Sequence, residues 1–346
     1  MPRPVYSAKR QVWRDGGAST GTRQIPEETA LALTYNGGTY AVMMGTPHDL
    51  ADFAVGFSLS EGIVQSPDEI ETFDIVEVDD GIELRMWLTP SSAELVNERR
   101  RHIAGPTGCG ICGVESIAEA IRPAAIVPKG RTFAPSDIME AMAAIVPLQA
   151  INHVTRAVHA AAFWTPARGI VCLREDVGRH NALDKLAGAL ALAEIQAADG
   201  IVLLTSRVSV EMVQKTAAMG TPVMVAVSAP TALAVRTAEA AGITLAAIAR
   251  SDSFEVFTHP ERVAALRTTG VAEATMSPDR LIYMANQIGK FFQSQGHDKA
   301  VPGIADHIKK FWDPRMRKAI FAHLDAGGSG LDPNVRDALE TLKKAA

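Results

Sequence analysis

A chain of 346 residues, 47% hydrophobic and 21% charged, can bury an ample core over two or three domains, which excludes a disordered or fibrous protein. Its net charge of −5 argues against a broad basic surface for nucleic acid, and no apolar run reaches the ~18 residues that would span a bilayer. Three cysteines fit a reducing cytoplasm better than a disulfide framework, and Met1–Arg10 lacks the apolar stretch of a signal peptide.

Residues 1–27, Gly-rich at Gly16-Gly17, read as an irregular lead-in. Two β-prone runs, Thr29–Tyr35 and Thr39–Met44, flank Asn36-Gly37 and predict a hairpin. Thr46-Pro47 is expected to cap a helix running through Ser60, with Leu50, Phe53, Ala54 and Phe57 on one face. Strand-like runs follow at Asp74–Val78 and Ile82–Leu88, then a charged helix from Ala93 to about Arg101.

The next stretch, Gly105-Pro106-Thr107-Gly108-Cys109-Gly110-Ile111-Cys112-Gly113, holds two of the three cysteines among four glycines. It reads as a loop that presents a thiol pair. Val114, Ile117, Ala118 and Ile121 recur at helical spacing just after it, and a helix N-terminus beside a cysteine favours the thiolate.

Beyond about residue 130 the rhythm changes. Ser136 is expected to cap a helix through Val146; residues 157–164 and 169–173 read as a strand pair; Asp176 caps a helix to about Ile195. Strands at Ile201–Leu204, Pro222–Val227, Ile243–Ile248 and Phe254–Phe257 alternate with helices at Ser209–Met219 and Thr231–Ala241. That alternation predicts a layered α/β domain with a largely parallel sheet, whose ligands bind beyond the carboxyl ends of the strands. After the link Thr275–Pro278, four helical stripes follow: Leu281, Met284, Ile288 and Phe291; Ile304, Ile308, Phe311 and Trp312; Met316, Ile320 and Leu324; Val335, Leu339 and Leu342. The domains are therefore read as 1–130, β-rich and ending in the cysteine loop; 131–265, α/β; and 276–346, all-helical.

Three groups carry chemistry. Cys109-x-x-Cys112 admits a zinc site, a redox dithiol, or sulfur carriage through a persulfide; the plain reading is an inert turn. No second close Cys or His pair exists to complete a zinc site, so no metal is assigned. A redox dithiol normally follows a strand and opens a helix, whereas here a Gly-rich loop precedes the pair. Cys172, inside an apolar run, reads as core. The second group is Arg174–Lys185, with seven ionisable residues in twelve. His180 and Asp184 lie one helical turn apart there, as a proton relay, a ligand contact or a solvated ion pair. The third is the strand-end loops with Ser206, Arg207, Ser209, Ser228 and Thr231, either a phosphate cradle or ordinary helix caps.

Several blocks together resemble the FdhD family of sulfur carriers required for formate dehydrogenase activity: Gly56–Ile63, Thr107–Glu115, Glu175–Lys185, Ser206-Arg207, Glu211–Lys215, Ala226–Thr231 and Thr258-His259-Pro260. The resemblance runs in order from about Ile25 to Pro260. It implies a cytidine-deaminase-like α/β/α main domain, without the H-x-E and P-C-x-x-C signature that deamination needs. It implies a cytoplasmic sulfurtransferase that takes sulfur from a cysteine desulfurase and passes it to the molybdenum cofactor, bis-molybdopterin guanine dinucleotide, for formate dehydrogenase. By the motif, Cys109 bears the persulfide and Cys112 is its partner. The family's cofactor loop maps by position onto Ile248, Ala249, Arg250, Ser251, Asp252 and Ser253, where a guanine nucleotide such as GDP would also fit. Relatives tend to have Gly-Phe at the start of this segment and an Arg near its end; this chain has Ala247-Ile248 and Ser253. The resemblance further implies a homodimer. The tail, with Met284–Ile288, Phe291-Phe292 and His307–Met316, resembles the delta subunit of molybdenum-containing, NAD-dependent formate dehydrogenase and implies a tether to that client. The rival readings are a thiol–disulfide oxidoreductase and a non-enzymatic assembly factor.

Overall fold

Two Asx-Gly pairs set the first turns of the chain. Asn36 (φ 50°) and Gly37 (φ 80°) join β3 (Thr29–Tyr35) to β4 (Gly38–Gly45), the hairpin expected from the sequence. Asp15 (φ 50°) and Gly16 (φ 80°) do the same for β1 (Val5–Arg14) and β2 (Gly17–Pro26). Positive φ at both central residues is what a tight hairpin needs. The lead-in expected to be irregular is thus a two-stranded ribbon. It escaped the sequence reading because both faces are largely exposed, so no apolar alternation marks it.

The computed structural model describes residues 2–103, 123–264, 278–293, 297–312 and 314–344, with eleven α-helices among them. The chain forms two compact units, Met1–Thr268 and Thr269–Ala346. The boundary expected near residue 130 falls inside the first unit. Cys109, Cys112 and the helix expected at 114–121 lie outside the described residues.

In the first unit, β5 (Ile70–Val78) and β6 (Gly81–Leu88) join the hairpin in a four-stranded sheet of order β4-β3-β6-β5. Its buried face, with Leu31, Leu33, Ile82 and Leu84, packs on Leu50, Phe53, Ala54 and Phe57 of α1 (Leu50–Ser60). That helix starts at Leu50, not at Thr46-Pro47: Asp49 caps it in the left-handed region, and Thr46 has another task described below. Helix α2 (Pro90–Ile103) follows.

A six-stranded sheet of order β12-β11-β10-β9-β7-β8 forms the second half of this unit. Strands β9 (Ile201–Leu204), β10 (Val223–Ala226) and β11 (Thr244–Ala247) are parallel. β7 (His159–Thr165) and β8 (Gly169–Asp176) extend one side and β12 (Glu255–Val256) the other, all antiparallel to their neighbours. On one face lie α5 (Arg179–Leu192), α6 (Val210–Ala218) and α7 (Ala232–Ala241); on the other lies α3 (Pro135–Ile145). This is the α/β/α layering that the family resemblance implies, but the sheet is less parallel than the strand–helix alternation predicts: only β9, β10 and β11 pair in parallel, because β7–β8 and β12 join through turns and loops and not through crossover helices. Short α4 (Ala150–Thr155) precedes β7.

Helix α5 is buried almost all round, as a helix between two layers must be. Its outer side crosses α1 at backbone contact. A methyl group on Gly56 would lie 1.7 Å from the Asp184 carbonyl oxygen, and one on Gly188 1.9 Å from that of Asp52. Each helix presents a glycine to the other's backbone.

The second unit consists of α8 (Pro278–Gln293), α9 (His297–Phe311), α10 (Pro314–Asp325) and α11 (Pro333–Lys344). Leu281, Ala285, Ile304, Ile308, Trp312, Ile320, Val335 and Leu339 build its core. Asn286 pins the turn before α11, donating to the Gly330 carbonyl and accepting from the Asp332 N–H. Phe291 and Phe311, expected in the buried stripes, are each 73% exposed; Phe292 packs inward in place of Phe291, and Trp312 is buried as expected.

Gly56→Ala and Gly188→Ala are each expected to destabilise the chain by about 3 kcal/mol or more, because the clash is with backbone that cannot rotate away. Denaturant unfolding measures this; an unchanged midpoint would contradict the backbone contact.

Candidate functional site

Parallel strands deliver their C-terminal loops to one edge, and here three loops are laced together. The Val227 N–H donates to the Leu204 carbonyl, the Thr231 N–H to Val208, and the Ala249 N–H to Ala226. Because β7 runs antiparallel to this set and β8, antiparallel to β7, runs with it, the start of β7 at His159 and the end of β8 at Asp176 reach the same edge, where they pair. The Glu175–Lys185 motif therefore turns from strand into α5 beside the loops that follow β9, β10 and β11.

The structure divides that motif. Asp176 is the last residue of β8 rather than a helix cap; Gly178 occupies the cap position. Fully buried, the Asp176 carboxylate meets Lys185 Nζ at 2.7 Å and accepts from the N–H groups of Thr46 and Gly178 and from the Asn181 amide. Lys185 also donates to the Thr46 carbonyl, and the Thr46 hydroxyl accepts from the Val177 N–H. This explains why Thr46 does not begin α1. One turn on, Asp184 accepts from Ser60 Oγ at 2.6 Å and pairs with Lys215 of α6 at 2.9 Å; Lys215 also reaches Glu61 at 3.1 Å. Burial pushes the Asp184 carboxyl up. Burial works against the Lys215 ammonium too, but Asp184 and Glu61 outweigh it and hold its pKa above the ordinary lysine value. Arg174 joins Asp52 of α1 at 2.6 Å. Glu175 caps α4 through the N–H groups of Ile151 and Asn152. Asp176, Asp184 and Lys185 thus fasten α5 to the N-terminal sheet and α1.

His180 and Asp184, expected as a pair, are separated in function. His180 Nε2 lies 2.6 Å from Glu211 and 3.5 Å from Ser209 Oγ. Both partners approach the same ring nitrogen, so this is not the geometry of a nucleophilic triad, in which the acid and the nucleophile use opposite nitrogens. His180 and its neighbours pull the Glu211 carboxyl below its ordinary value. Cys172 is half-buried and its thiol is pushed up by burial, in keeping with a packing role.

The hydroxyls of the strand-end loops, read as either a phosphate cradle or ordinary caps, divide between capping and other bonds. Thr231 caps α7 by accepting from the Ala234 N–H, and Ser206 donates to the Arg207 carbonyl. Ser209, by contrast, is the N-cap residue of α6 without a side-chain capping bond. The segment Ile248–Ser253 closes on itself through the Arg250 N–H and the Ser253 carbonyl at 2.7 Å. The Arg250 guanidinium is occupied by the carbonyls of Val227 and Ala249. Ala249 is buried, whereas Arg250, Ser251, Asp252 and Ser253 are exposed. Ile248 stands at φ 54°, an outlier for a β-branched residue, and such strain concentrates at ligand-binding turns. Beyond this loop, Thr258 clips the edge by accepting from the Leu245 N–H and donating to the Ile243 carbonyl.

Sequence reasoning gave no role to Glu211 or to His159. His159 is half-buried, and burial together with the charge of Arg179 holds its imidazole below the ordinary value. Only the antiparallel register of β7 brings it to this edge. A separate cleft of about 750 Å³ opens beside the C-terminal halves of α5 and α6, between Glu61, Gln65, Leu190, Glu194, Gln214 and Lys215. Pro123–Ala125, where the described chain resumes, line it.

A layered sheet with laced strand-end loops, followed by a separate helical unit, defines a layered α/β protein with a helical appendage. The chain belongs to the FdhD/NarQ family, which residues 26–264 match. Residues 280–339 match the NADH-dependent formate dehydrogenase delta subunit FdsD. The sulfur carrier protein FdhD of Agrobacterium fabrum is 52% identical over 73% of this chain and 94% of its own length. The sulfur carrier proteins FdhD of Brucella abortus and Cupriavidus necator are 50% and 48% identical, each over 72% of this chain and 93% and 87% of theirs. A crystal structure described as that of a formate dehydrogenase accessory protein from Desulfotalea psychrophila superposes with a TM-score of 0.60 at 25% identity, over 75% of this chain and 99% of that one. Among the described residues no helix is long and apolar enough to cross a membrane.

Lys215→Met leaves Asp184 buried without its counter-charge, and the expected loss is about 3–5 kcal/mol of stability. Adding Asp184→Leu should recover much of it; if the double variant is no better than the single, the ion pair is not what holds α5 to α6. The His180–Glu211 pair has an acid dependence of known sign. A lowered glutamate pKa gives stability that is present above the ordinary value of 4.5 and lost as pH falls through the lowered one. The melting temperatures of wild type and Glu211→Gln should therefore differ near neutrality and converge in acid.

Proposed function

We propose that this chain is a cytoplasmic sulfur carrier that sulfurates the molybdenum cofactor of formate dehydrogenase. The observation that carries the reading is the unbroken family match from residue 26 to 264, which contains Cys109-Gly110-Ile111-Cys112, with relatives about half identical that are named sulfur carrier proteins. Net charge and composition agree with a protein that handles a small ligand rather than nucleic acid.

The chemistry balances with the two cysteines. The Cys109 thiolate attacks the terminal sulfur of a persulfide on a cysteine desulfurase; the new S–S bond forms on Cys109, and the desulfurase cysteine leaves as thiolate. The Cys112 thiolate then attacks the inner sulfur of the Cys109 persulfide. A Cys109–Cys112 disulfide forms, and the terminal sulfur leaves as sulfide, carrying the two electrons, to the bound cofactor. A thiol reductant restores the pair. The cofactor substrate, bis-molybdopterin guanine dinucleotide, is assigned to the strand-end edge with Ile248–Ser253 in contact, and GDP as an occupant of the same place. Support comes from the convergence of three strand-end loops and the left-handed turn at Ile248.

In this reading the protein works as a homodimer, and the helical unit tethers it to formate dehydrogenase. The FdsD match supports the tether, as do Tyr283, Phe291 and Phe311, which are exposed on that unit. A tether raises effective concentration without strong contacts. Deleting residues 276–346 should weaken co-purification with formate dehydrogenase and lower its activation; unchanged values refute the tether alone.

Incubation with a cysteine desulfurase and cysteine, followed by peptide mass spectrometry, should show one added sulfur on the Cys109 peptide, reversed by reductant. Cys109→Ala should abolish activation of formate dehydrogenase while the melting temperature stays unchanged. A Cys109–Cys112 disulfide with no added sulfur would point to an oxidoreductase. Full activation with both cysteines replaced would point to an assembly factor.

A further inference from the structure

One face of the four-stranded sheet packs on α1 through Leu31, Leu33, Ile82 and Leu84, so the alternate residues of each strand face away from that helix. The register sets Val42 beside Ala32, then Glu83 and Val76, in one row across all four strands, and Met44 beside Ala30 in the next. Val42, Met44, Val78 and Trp87 of this outer face are 40–44% exposed and enter none of the hydrophobic cores among the described residues. An exposed apolar face on a layered protein marks a place where something packs.

The β1–β2 ribbon is equally unsupported. Ten residues to a strand make it about 34 Å long, and a lone two-stranded ribbon is marginal in water. Within its own chain it packs mainly on α4, where Arg23 donates to the Thr155 carbonyl. Tyr6 and Trp13 lie on its two faces, and Trp13, beside the turn, is 76% exposed. Except for Pro26, the ribbon precedes the residues that match the family model.

Ribbon and sheet carry opposite charge. Residues 1–26 hold Arg3, Lys9, Arg10, Arg14 and Arg23 against Asp15 alone, in a chain whose net charge is −5. The β5–β6 hairpin holds Glu71, Asp74, Glu77, Asp79, Asp80 and Glu83 against Arg85 alone. Arg85 is taken by Glu83 at 2.6 Å, whereas Lys9, Arg10 and Arg14 have no hydrogen-bond or ion-pair partner among the described residues. Only Glu27 and Glu28 separate β2 from β3, so the arm springs from the sheet itself. A two-fold axis beside that point lays each arm on the other copy's sheet, and both contacts form at once. The plain alternative is a solvated arm, which leaves Trp13 and the apolar sheet face to water together.

We infer that the β1–β2 ribbon of one copy docks on the outer face of the four-stranded sheet of a second copy, and reciprocally, with Lys9, Arg10 and Arg14 against the acidic β5–β6 hairpin. This gives an interface to the homodimer of the function proposed above, and rests on that reading. Complementary charge sets the register of the contact, and the apolar residues supply the area.

Sedimentation of the full-length protein tests the interface with two variants. Lys9→Glu with Arg10→Glu and Arg14→Glu reverses the charge of the arm; Glu71→Lys with Asp74→Lys and Asp80→Lys reverses that of the hairpin. Wild type should sediment as a dimer. Each variant alone should be a monomer, its self-association weakened by about 100-fold or more, because like charges now meet. An equal mixture of the two should regain the dimer, since the reversed arm then meets the reversed sheet and the native arm the native sheet. Circular dichroism like that of wild type shows each variant folded, and recovery on mixing separates lost charge from lost fold. Either variant dimerising alone as wild type does overturns the inference and leaves the homodimer standing on another surface. Monomers that stay apart on mixing also overturn it. A monomeric wild type overturns both the interface and the homodimer. Persulfide formation on Cys109, read in parallel, reports the carrier function apart from either.

Discussion

The contact between α1 and α5 is the constraint on which the first unit depends. Two helices approach to backbone contact only where neither carries a side chain, and Gly56 and Gly188 provide that on each helix in turn. Close approach then brings Ser60 and Glu61 to Asp184 and Lys215, and Thr46 to Asp176 and Lys185. Buried ion pairs of this kind add little net stability, because desolvation offsets attraction, but a wrong register would leave an uncompensated charge inside the protein. Apolar packing drives the layers together, and the charges select one arrangement of them.

That division of labour bears on function. Within twelve residues, Arg174, Glu175, Asp176, Asp184 and Lys185 are turned to structure, and His180 to the edge where the loops converge. The alternation follows from geometry. Side chains change face at each step along β8, and the first turn of α5 sets His180 against Ser209 and Glu211 before the helix sinks between the layers. A rigid scaffold thereby holds Ile248–Ser253, which opens on a left-handed residue, against the loop that follows β10. Rigid elements below and loops above are what a site needs if it is to be formed before its ligand arrives.

The helical unit follows simpler rules. Four amphipathic helices close on Leu281, Ile304, Ile308, Val335 and Leu339, and an asparagine ties the turn before the last helix. Its exposed aromatics stand outside that core. A unit that completes its own core can be joined to another protein without redesign of either.

By itself the sequence determined the elements whose signal is local. These include the Asn36-Gly37 hairpin, the strand–helix alternation of the six-stranded sheet, the apolar stripes of the tail, and Cys109-x-x-Cys112 with the family resemblance it anchors. Tertiary structure decided the rest. The ribbon at Val5–Pro26 carries no apolar period because neither face is buried, although its Asp15-Gly16 turn was readable. Phe291 and Phe292 could exchange places in a stripe, and only packing chose Phe292. Asp184 looked like a partner for His180 because one helical turn separates them, yet it bonds Ser60, 124 positions away. His159 reaches the site through strand register alone. Periodicity records which face of an element is buried; it does not record which distant charge waits there, because that pairing exists only once the layers have come together.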